Sequence, residues 1–149
     1  METKNYNFRI QTALLGLSKR VRQGVESRLA STDPRITVLQ HAIICNLQTG
    51  DLTINELARL MKIKPPSLVA AVDTLERAGY LQRRPDPTDR RRTPLHITPA
   101  GEVLLKEAPF CSESDALSVA LKRLGPRKSE QIAQFLEELD AAIVNSKSE

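Results

Sequence analysis

Apolar residues recur near the start of the chain at spacings of three and four: Ile10, Leu14, Leu17, Val21, Val25 and Leu29. That period predicts an amphipathic helix over about 6–29. Its single apolar stripe needs a cover, from another helix of the chain or from a second subunit. A helix over about 37–47 follows, carrying Leu39, Ala42, Ile43 and Leu47, and Gly50-Asp51 ends it. Thr53 and Glu56 then have the spacing of a capping box, opening a short helix with Leu57, Leu60 and Met61 as its buried face. Pro65-Pro66 suits the first turn of the next helix, which runs to about Ala78, where Gly79 supplies a stop. Two short helices across a tight turn make a helix-turn-helix. Short strands over about 80–84 and 95–98 flank a loop, 85–94, rich in Pro, Asp and Arg, and read as a hairpin with a long tip. Thr98, Pro99 and Glu102 open a helix towards 124 that Pro109 interrupts, predicting a kink or short break near 108–109. After Gly125-Pro126 a last helix carries Ile132, Phe135, Leu136, Leu139 and Ile143, and a polar, frayed tail follows 144.

The fold class is therefore mainly α with a small β-hairpin. Aromatics at 3% and no Trp leave a Leu/Ile/Val/Ala core, which fits helices better than a barrel. No apolar run reaches the ~20 residues of a membrane span. The N-terminus has no signal-peptide core, and Cys45 and Cys111 are too few for a disulfide framework. A reduced, cytoplasmic protein is expected. The formal charge of +4 lies wholly between Thr53 and Gly101, where nine Lys/Arg face five Asp/Glu. A local basic zone points to a polyanionic partner.

On a wheel of 100° per residue, Leu68, Val72 and Leu75 form the core face of the helix from Pro65. Opposite lie Pro66, Ser67, Ala70, Thr74 and Arg77, a slim face suited to a major groove. Lys64 precedes the helix, where the dipole disfavours a cation and a bound phosphate would relieve the conflict. Alone, this is also the pattern of an ordinary surface helix. The hairpin separates the two: Arg83, Arg84, Arg90, Arg91 and Arg92 stand on or beside one loop against Asp86 and Asp89. Such a loop suits DNA backbone contact or minor-groove insertion. Asp89 is expected to organise the loop by pairing with one arginine.

The stretches 53–60, 65–69, 72–81, 83–91 and Thr98-Pro99-Ala100-Gly101 closely resemble the MarR family of winged helix-turn-helix transcription regulators. The resemblance implies a homodimer joined by N- and C-terminal helices, each subunit placing a recognition helix in a major groove and a wing in the adjacent minor groove. It also implies repression relieved by a small-molecule effector or oxidant. Asp89 and Arg91 match the wing's acidic organiser and minor-groove arginine. The chain departs from the pattern at Lys64, where a serine is common, at Val69 and Ala70, where polar residues or an arginine are common, and at Pro94 and Pro109.

Other chemistries are weaker. His41 and Cys45 share a helix face at i, i+4 and form half of a zinc site, without an evident third and fourth ligand. Cys45 is expected to pack in the core, and Cys111 is the candidate for an oxidant-sensitive thiol. No phosphate loop, HExxH, GxSxG or paired-Cys motif is present, so no enzyme activity and no cofactor is expected. The organisation expected is a helical dimerisation region, 1–35 and 102–149, around a DNA-binding lobe, 36–101. The function expected is sequence-specific binding of a near-palindromic operator in double-stranded DNA by a homodimeric repressor, with a possible small-molecule effector. The alternatives are a winged-helix protein-docking module and a metal- or redox-responsive regulator of the same fold.

Overall fold

The computed structural model describes residues 2–146, and side chains from residue 5 onwards. The elements are α1 (Glu2–Leu29), α2 (Val38–Leu47), α3 (Ile54–Met61), α4 (Pro65–Arg77), β1 (Leu81–Arg83), β2 (Leu95–Ile97), α5 (Pro99–Glu107), α6 (Ala116–Leu124) and α7 (Pro126–Asn145). Two compact units divide the chain, one of Arg22–Phe110 and one of the residues up to Val21 with those from Cys111. The boundaries expected at 35/36 and 101/102 thus differ from the divisions observed. The last turns of α1 and the whole of α5 fold with the helix-turn-helix, because Val25, Leu29, Leu104 and Leu105 bury in its core.

Local signals set the ends of the helices in this unit. Thr37 caps α2 and Thr53 caps α3, each through a full capping box, with Gln40 and Glu56 as the reciprocal partners. Lys62 ends α3 in the left-handed region at φ 55°, and its Ile63 neighbour donates back to the Ala58 carbonyl. Around α2 gather the apolar faces of α3, α4 and α5 with β1 and β2: Ile43, Ile44, Leu47, Leu57, Leu68, Val72, Leu75, Leu81 and Leu95 are all buried. Burial of each such side chain stabilises the fold by roughly 1.5–3 kcal/mol. The α4 face is the one its periodicity predicts. The α3 face is rotated: Ala58 joins Leu57 in the core while Leu60 is 55% exposed. Leu57, Ala58 and Met61 fall within one 100° arc and Leu60 lies outside it.

The hairpin is antiparallel, pairing Leu81 with Ile97, Gln82 with His96 and Arg83 with Leu95. Leu52, in the α2–α3 connection, adds an isolated bridge to Leu95, and its carbonyl accepts from the Leu95 N–H at 2.8 Å. His96 on β2 meets Asp51 in the same connection at 2.7 Å. The entry to α5 closes on the root of the hairpin. The Thr98 hydroxyl donates to the Gly79 carbonyl at 2.5 Å and accepts from the Gly101 N–H at 3.2 Å. Gly101 sits so close that a Cβ there would overlap the Tyr80 carbonyl and the Ile97 side chain.

The interruption at Pro109 is a true break. Helix α5 ends at Glu107 and α6 starts at Ala116, so eight residues, 108–115, lie outside helix. The carbonyls freed there find partners. His41, 1% exposed, donates from Nε2 to the Ala108 carbonyl at 2.6 Å. Arg28, on the last turn of α1, donates from Nε to the Pro109 carbonyl at 3.0 Å and from Nη2 to the Phe110 carbonyl at 2.7 Å. The Phe110 ring stacks on His41 with centroids 6.2 Å apart. A proline-broken end is thereby satisfied by side chains from two other helices.

In the other unit α6 packs against α7. Both carry exposed apolar side chains, with Leu117 and Leu124 on α6 and Ile132, Phe135, Leu136 and Ile143 on α7. The α1 stripe is split in the same sense, exposed at Ile10, Leu14, Leu17 and Val21 and buried at Val25 and Leu29. No helix among the described residues is long and apolar enough to cross a membrane.

Candidate nucleic-acid interface

Helix α4 presents Pro66, Ser67, Val69, Ala70, Thr74 and Arg77 to solvent, opposite Leu68, Val72 and Leu75. Its polar side chains are partly committed to the helix itself. Thr74 donates its hydroxyl to the Ala70 carbonyl at 2.9 Å. Arg77 folds back, with Nε 3.3 Å from the Asp73 carbonyl and Nη2 3.5 Å from the Thr74 hydroxyl. The amino end of α4, where a bound phosphate is expected at Lys64, offers side-chain charge rather than backbone N–H groups. Lys64 is the N-cap residue and makes no side-chain cap. Pro65 and Pro66 have no N–H, and the Ser67 N–H is taken by the Lys64 carbonyl at 3.0 Å. Backbone donors for an anion are therefore lacking there, and positive charge comes from side chains. Arg59, Lys62 and Lys64 line a cleft of about 590 Å³ with Asn55, Ala58, Ile63 and Pro65.

The wing is more ordered than its composition suggests. Beyond the strands, Arg84 donates its N–H to the Pro94 carbonyl at 3.1 Å and Asp86 to the Arg92 carbonyl at 3.0 Å. The tip is then closed by Asp86, whose Oδ1 accepts from the Thr88 N–H at 2.8 Å, the Thr88 hydroxyl at 2.7 Å and the Asp89 N–H at 3.2 Å. Those donors, the Thr88 hydroxyl foremost, and the nearby Arg92 hold the Asp86 carboxyl below its ordinary range. Asp89 also organises the loop, but through the backbone. Its Oδ1 accepts the Arg91 N–H at 3.0 Å, and it makes no ion pair with an arginine side chain among the described residues. Asp86, which the sequence presents only as a countercharge, is the tip's main acceptor. The signal was available in the turn chemistry of Asp86-Pro87-Thr88.

The five arginines divide. Arg83 turns back from β1 onto α4, with Nη2 2.6 Å from Asp73 Oδ1 and Nη1 against Glu76, whose Oε1 also accepts the Arg83 N–H at 2.9 Å. Expected as a wing contact, it is a clamp between hairpin and helix, because two carboxylates one helical turn apart match its fork. Arg92 pairs with Glu56 at 2.6 Å and lies 3.7 Å from Asp86. Arg90 and Arg91 are exposed and make no ion pair among the described residues, and Arg84 is exposed beside them. The cleft at Lys64, the outer face of α4 and the wing tip thus belong to one folded unit.

The ring of His41 is engaged with Ala108, Phe110 and the Cys45 Sγ, which lies 3.7 Å from Nε2. No group of three or more His, Cys, Asp or Glu with metal-holding geometry occurs among the described residues. Cys45 is half-buried and Cys111 exposed.

Residues 36–92 match the model of the MarR family. An uncharacterized HTH-type transcriptional regulator of Bacillus subtilis, YcgE, is 38% identical over 71 residues, 48% of this chain and 46% of that protein. The HTH-type transcriptional repressor NicR of Pseudomonas putida is 28% identical over 97 residues, 64% of this chain and 61% of that protein. The chain spans about half the length of several curated relatives that it matches. Among solved structures, CouR of Rhodococcus jostii RHA1 bound to p-coumaroyl-CoA superposes with a TM-score of 0.73 at 24% identity, covering 87% of this chain and 90% of that one. The fold is that of the solved MarR winged-helix structures.

Proposed function

We propose that the protein is a regulator of the MarR family, whose model residues 36–92 match, and that it is a homodimeric, sequence-specific DNA-binding repressor acting in the cytoplasm. The observation that carries this reading is the division of the arginines. Arg83 locks the hairpin to α4, while Arg90 and Arg91 stand unpaired at the end of a hydrogen-bonded tip. A rigid, cationic projection fixed against a slim helix suits a wing in a minor groove beside a helix in a major groove. A protein-docking wing would gain nothing from keeping two guanidiniums uncompensated.

Arg84, Arg90 and Arg91 of the wing, with Arg59 and Lys64 at the cleft, supply sequence-independent affinity by displacing counterions from phosphates. Arg92 contributes after the needs of Glu56 and Asp86 are met. Ser67, Ala70 and Thr74 set the fit in the groove, and Arg77 reaches the flanking backbone if it leaves Asp73. The exposed apolar faces of α1 and α7 fit burial against a second copy of the chain, and two copies would read half-sites about one helical turn apart. An effector, as a ligand of the CouR kind suggests, would shift the population of dimers whose lobes match that spacing.

The test is selection from a pool of random-sequence duplexes, followed by titration of the selected duplex at several salt concentrations. A near-palindrome and a steep fall of affinity with salt are expected. Absence of binding at low salt would remove the reading and promote a protein-docking role.

A further inference from the structure

The outer face of α4 is poor in groups that can read bases by hydrogen bonds. Over its first two turns the exposed side chains are Pro65, Pro66, Ser67, Val69 and Ala70. Val69 is 41% exposed although it is β-branched and apolar. One turn further, the exposed Thr74 commits its hydroxyl hydrogen to the Ala70 carbonyl, so its γ-methyl is the group left for an apolar contact. Arg77 is drawn back along the helix onto Asp73 and Thr74, and Asp73 is held by Arg83. Ser67 alone retains an uncommitted hydroxyl on this face. Bidentate reading of guanine or adenine needs Arg, Lys, Asn or Gln, and the exposed part of the first two turns holds none. The feature of the major groove that an apolar surface can recognise is the C5-methyl of thymine.

We infer that α4 reads its operator mainly by van der Waals contact with thymine methyl groups, through Val69, Ala70 and the γ-methyl of Thr74. This inference rests on the DNA-binding reading above and specifies its base chemistry. Specificity then comes from methyl burial and groove fit. Phosphate contacts from the wing and the Lys64 cleft supply most of the affinity. The preferred half-site carries thymines, on either strand, at the steps that face these three residues. A G·C pair there offers no methyl and leaves polar edges facing apolar side chains without partners.

Replacing thymidine by 2′-deoxyuridine removes only the C5-methyl and keeps every hydrogen-bonding group of the base pair. The selected duplex is synthesised with thymidine or with deoxyuridine at each half-site position in turn, and the full chain is titrated into both forms. Affinity is expected to fall about fourfold for each contacted methyl removed, with the salt dependence unchanged because no phosphate contact is altered. Thr74→Ser, which keeps the hydroxyl bond to Ala70 and deletes the methyl, and Val69→Ala should each abolish discrimination at one position. Both should bind the deoxyuridine duplex as the unsubstituted chain does. Equal affinity for the two duplexes at every position would overturn thymine-methyl reading while leaving DNA binding standing. Failure to bind either duplex would overturn the reading on which it rests.

Discussion

Arg92 at the wing tip and Glu56 at the start of α3 lie 2.6 Å apart, although 36 residues separate them. The same glutamate closes the capping box of α3, where its other oxygen accepts from the Thr53 N–H at 2.8 Å and the Thr53 hydroxyl at 3.0 Å. One carboxylate thus starts the helix-turn-helix and anchors the wing. The Thr53 N–H, with smaller contributions from the Thr53 hydroxyl and Arg92, holds the Glu56 carboxyl below its ordinary value of 4.5. Asp86 is held below 3.8 in the same manner at the tip.

The order that these two carboxylates impose is fully present above their ordinary values and is lost as pH falls through the lowered ones. Amide resonances of Thr53, Thr88 and Asp89 should therefore stay unchanged from neutrality into the ordinary carboxylate range and then titrate below it. Midpoints at or above 4.5 for Thr53 and 3.8 for Thr88 would remove both anchors from the account.

Arg83 and Arg91 should separate cleanly by substitution. Arg91→Ala is expected to weaken DNA binding strongly, to lower the salt slope by about one unit, and to leave the thermal midpoint unchanged. Arg83→Ala is expected to lower stability, by about 1 kcal/mol after allowance for the solvent access of the cluster, with DNA affinity falling because the wing is no longer fixed to α4. Thermal unfolding and titration of the selected duplex measure both. Wild-type affinity in the Arg91 variant would take the wing out of the mechanism.

His41 is expected to make stability depend on pH below 6.5. Burial, and secondarily the nearby Arg28 cation, lower its pKa from 6.5, against the opposing hydrogen bond to Ala108. As pH falls below 6.5 the unfolded chain takes up the proton first. Stability should hold above that pH and decline between it and the lowered folded value. Urea unfolding across that window should show the decline, and His41→Gln should flatten it. A flat profile for the unsubstituted chain would refute the neutral, buried ring.

The apolar faces of α1 and α7 should hold two copies together at micromolar concentration. Light scattering is expected to give twice the chain mass. Charging Phe135 and Leu136, as in F135D and L136D together, should halve it without loss of helix, since both side chains are exposed in the single chain. A monomer for the unsubstituted chain would undo the two-half-site model.

Much of the lobe was legible from residue order because its signals are local. The Thr53–Glu56 box, the α4 core face, Gly79 after α4 and Pro99 in the first turn of α5 all act within a few residues. What escaped depends on partners distant in sequence. Arg83 counts as one of five wing arginines until Asp73 and Glu76 are brought beside it by the turn after α4. Leu60 has the hydrophobicity of a core residue and the wrong angle on its helix. The length of the break after α5 depends on Arg28 and His41, which satisfy its carbonyls from other helices. Pro65-Pro66 marks a helix start in sequence and in structure, and their missing amides leave the positive charge there to side chains alone.

Gly101 gives the lobe a point of zero tolerance. The hairpin root and α5 meet with one hydrogen atom's thickness between them, since even a methyl would strike the Tyr80 carbonyl and the Ile97 side chain. Overpacking of this kind costs about 1–3 kcal/mol or forces the backbone apart. Gly101→Ala should therefore behave as a temperature-sensitive lesion. In a library of all single substitutions scored for folded yield, position 101 should accept fewer residues than the neighbouring positions of α5. The wing would then fail at a distance from any DNA contact, through the joint that carries it.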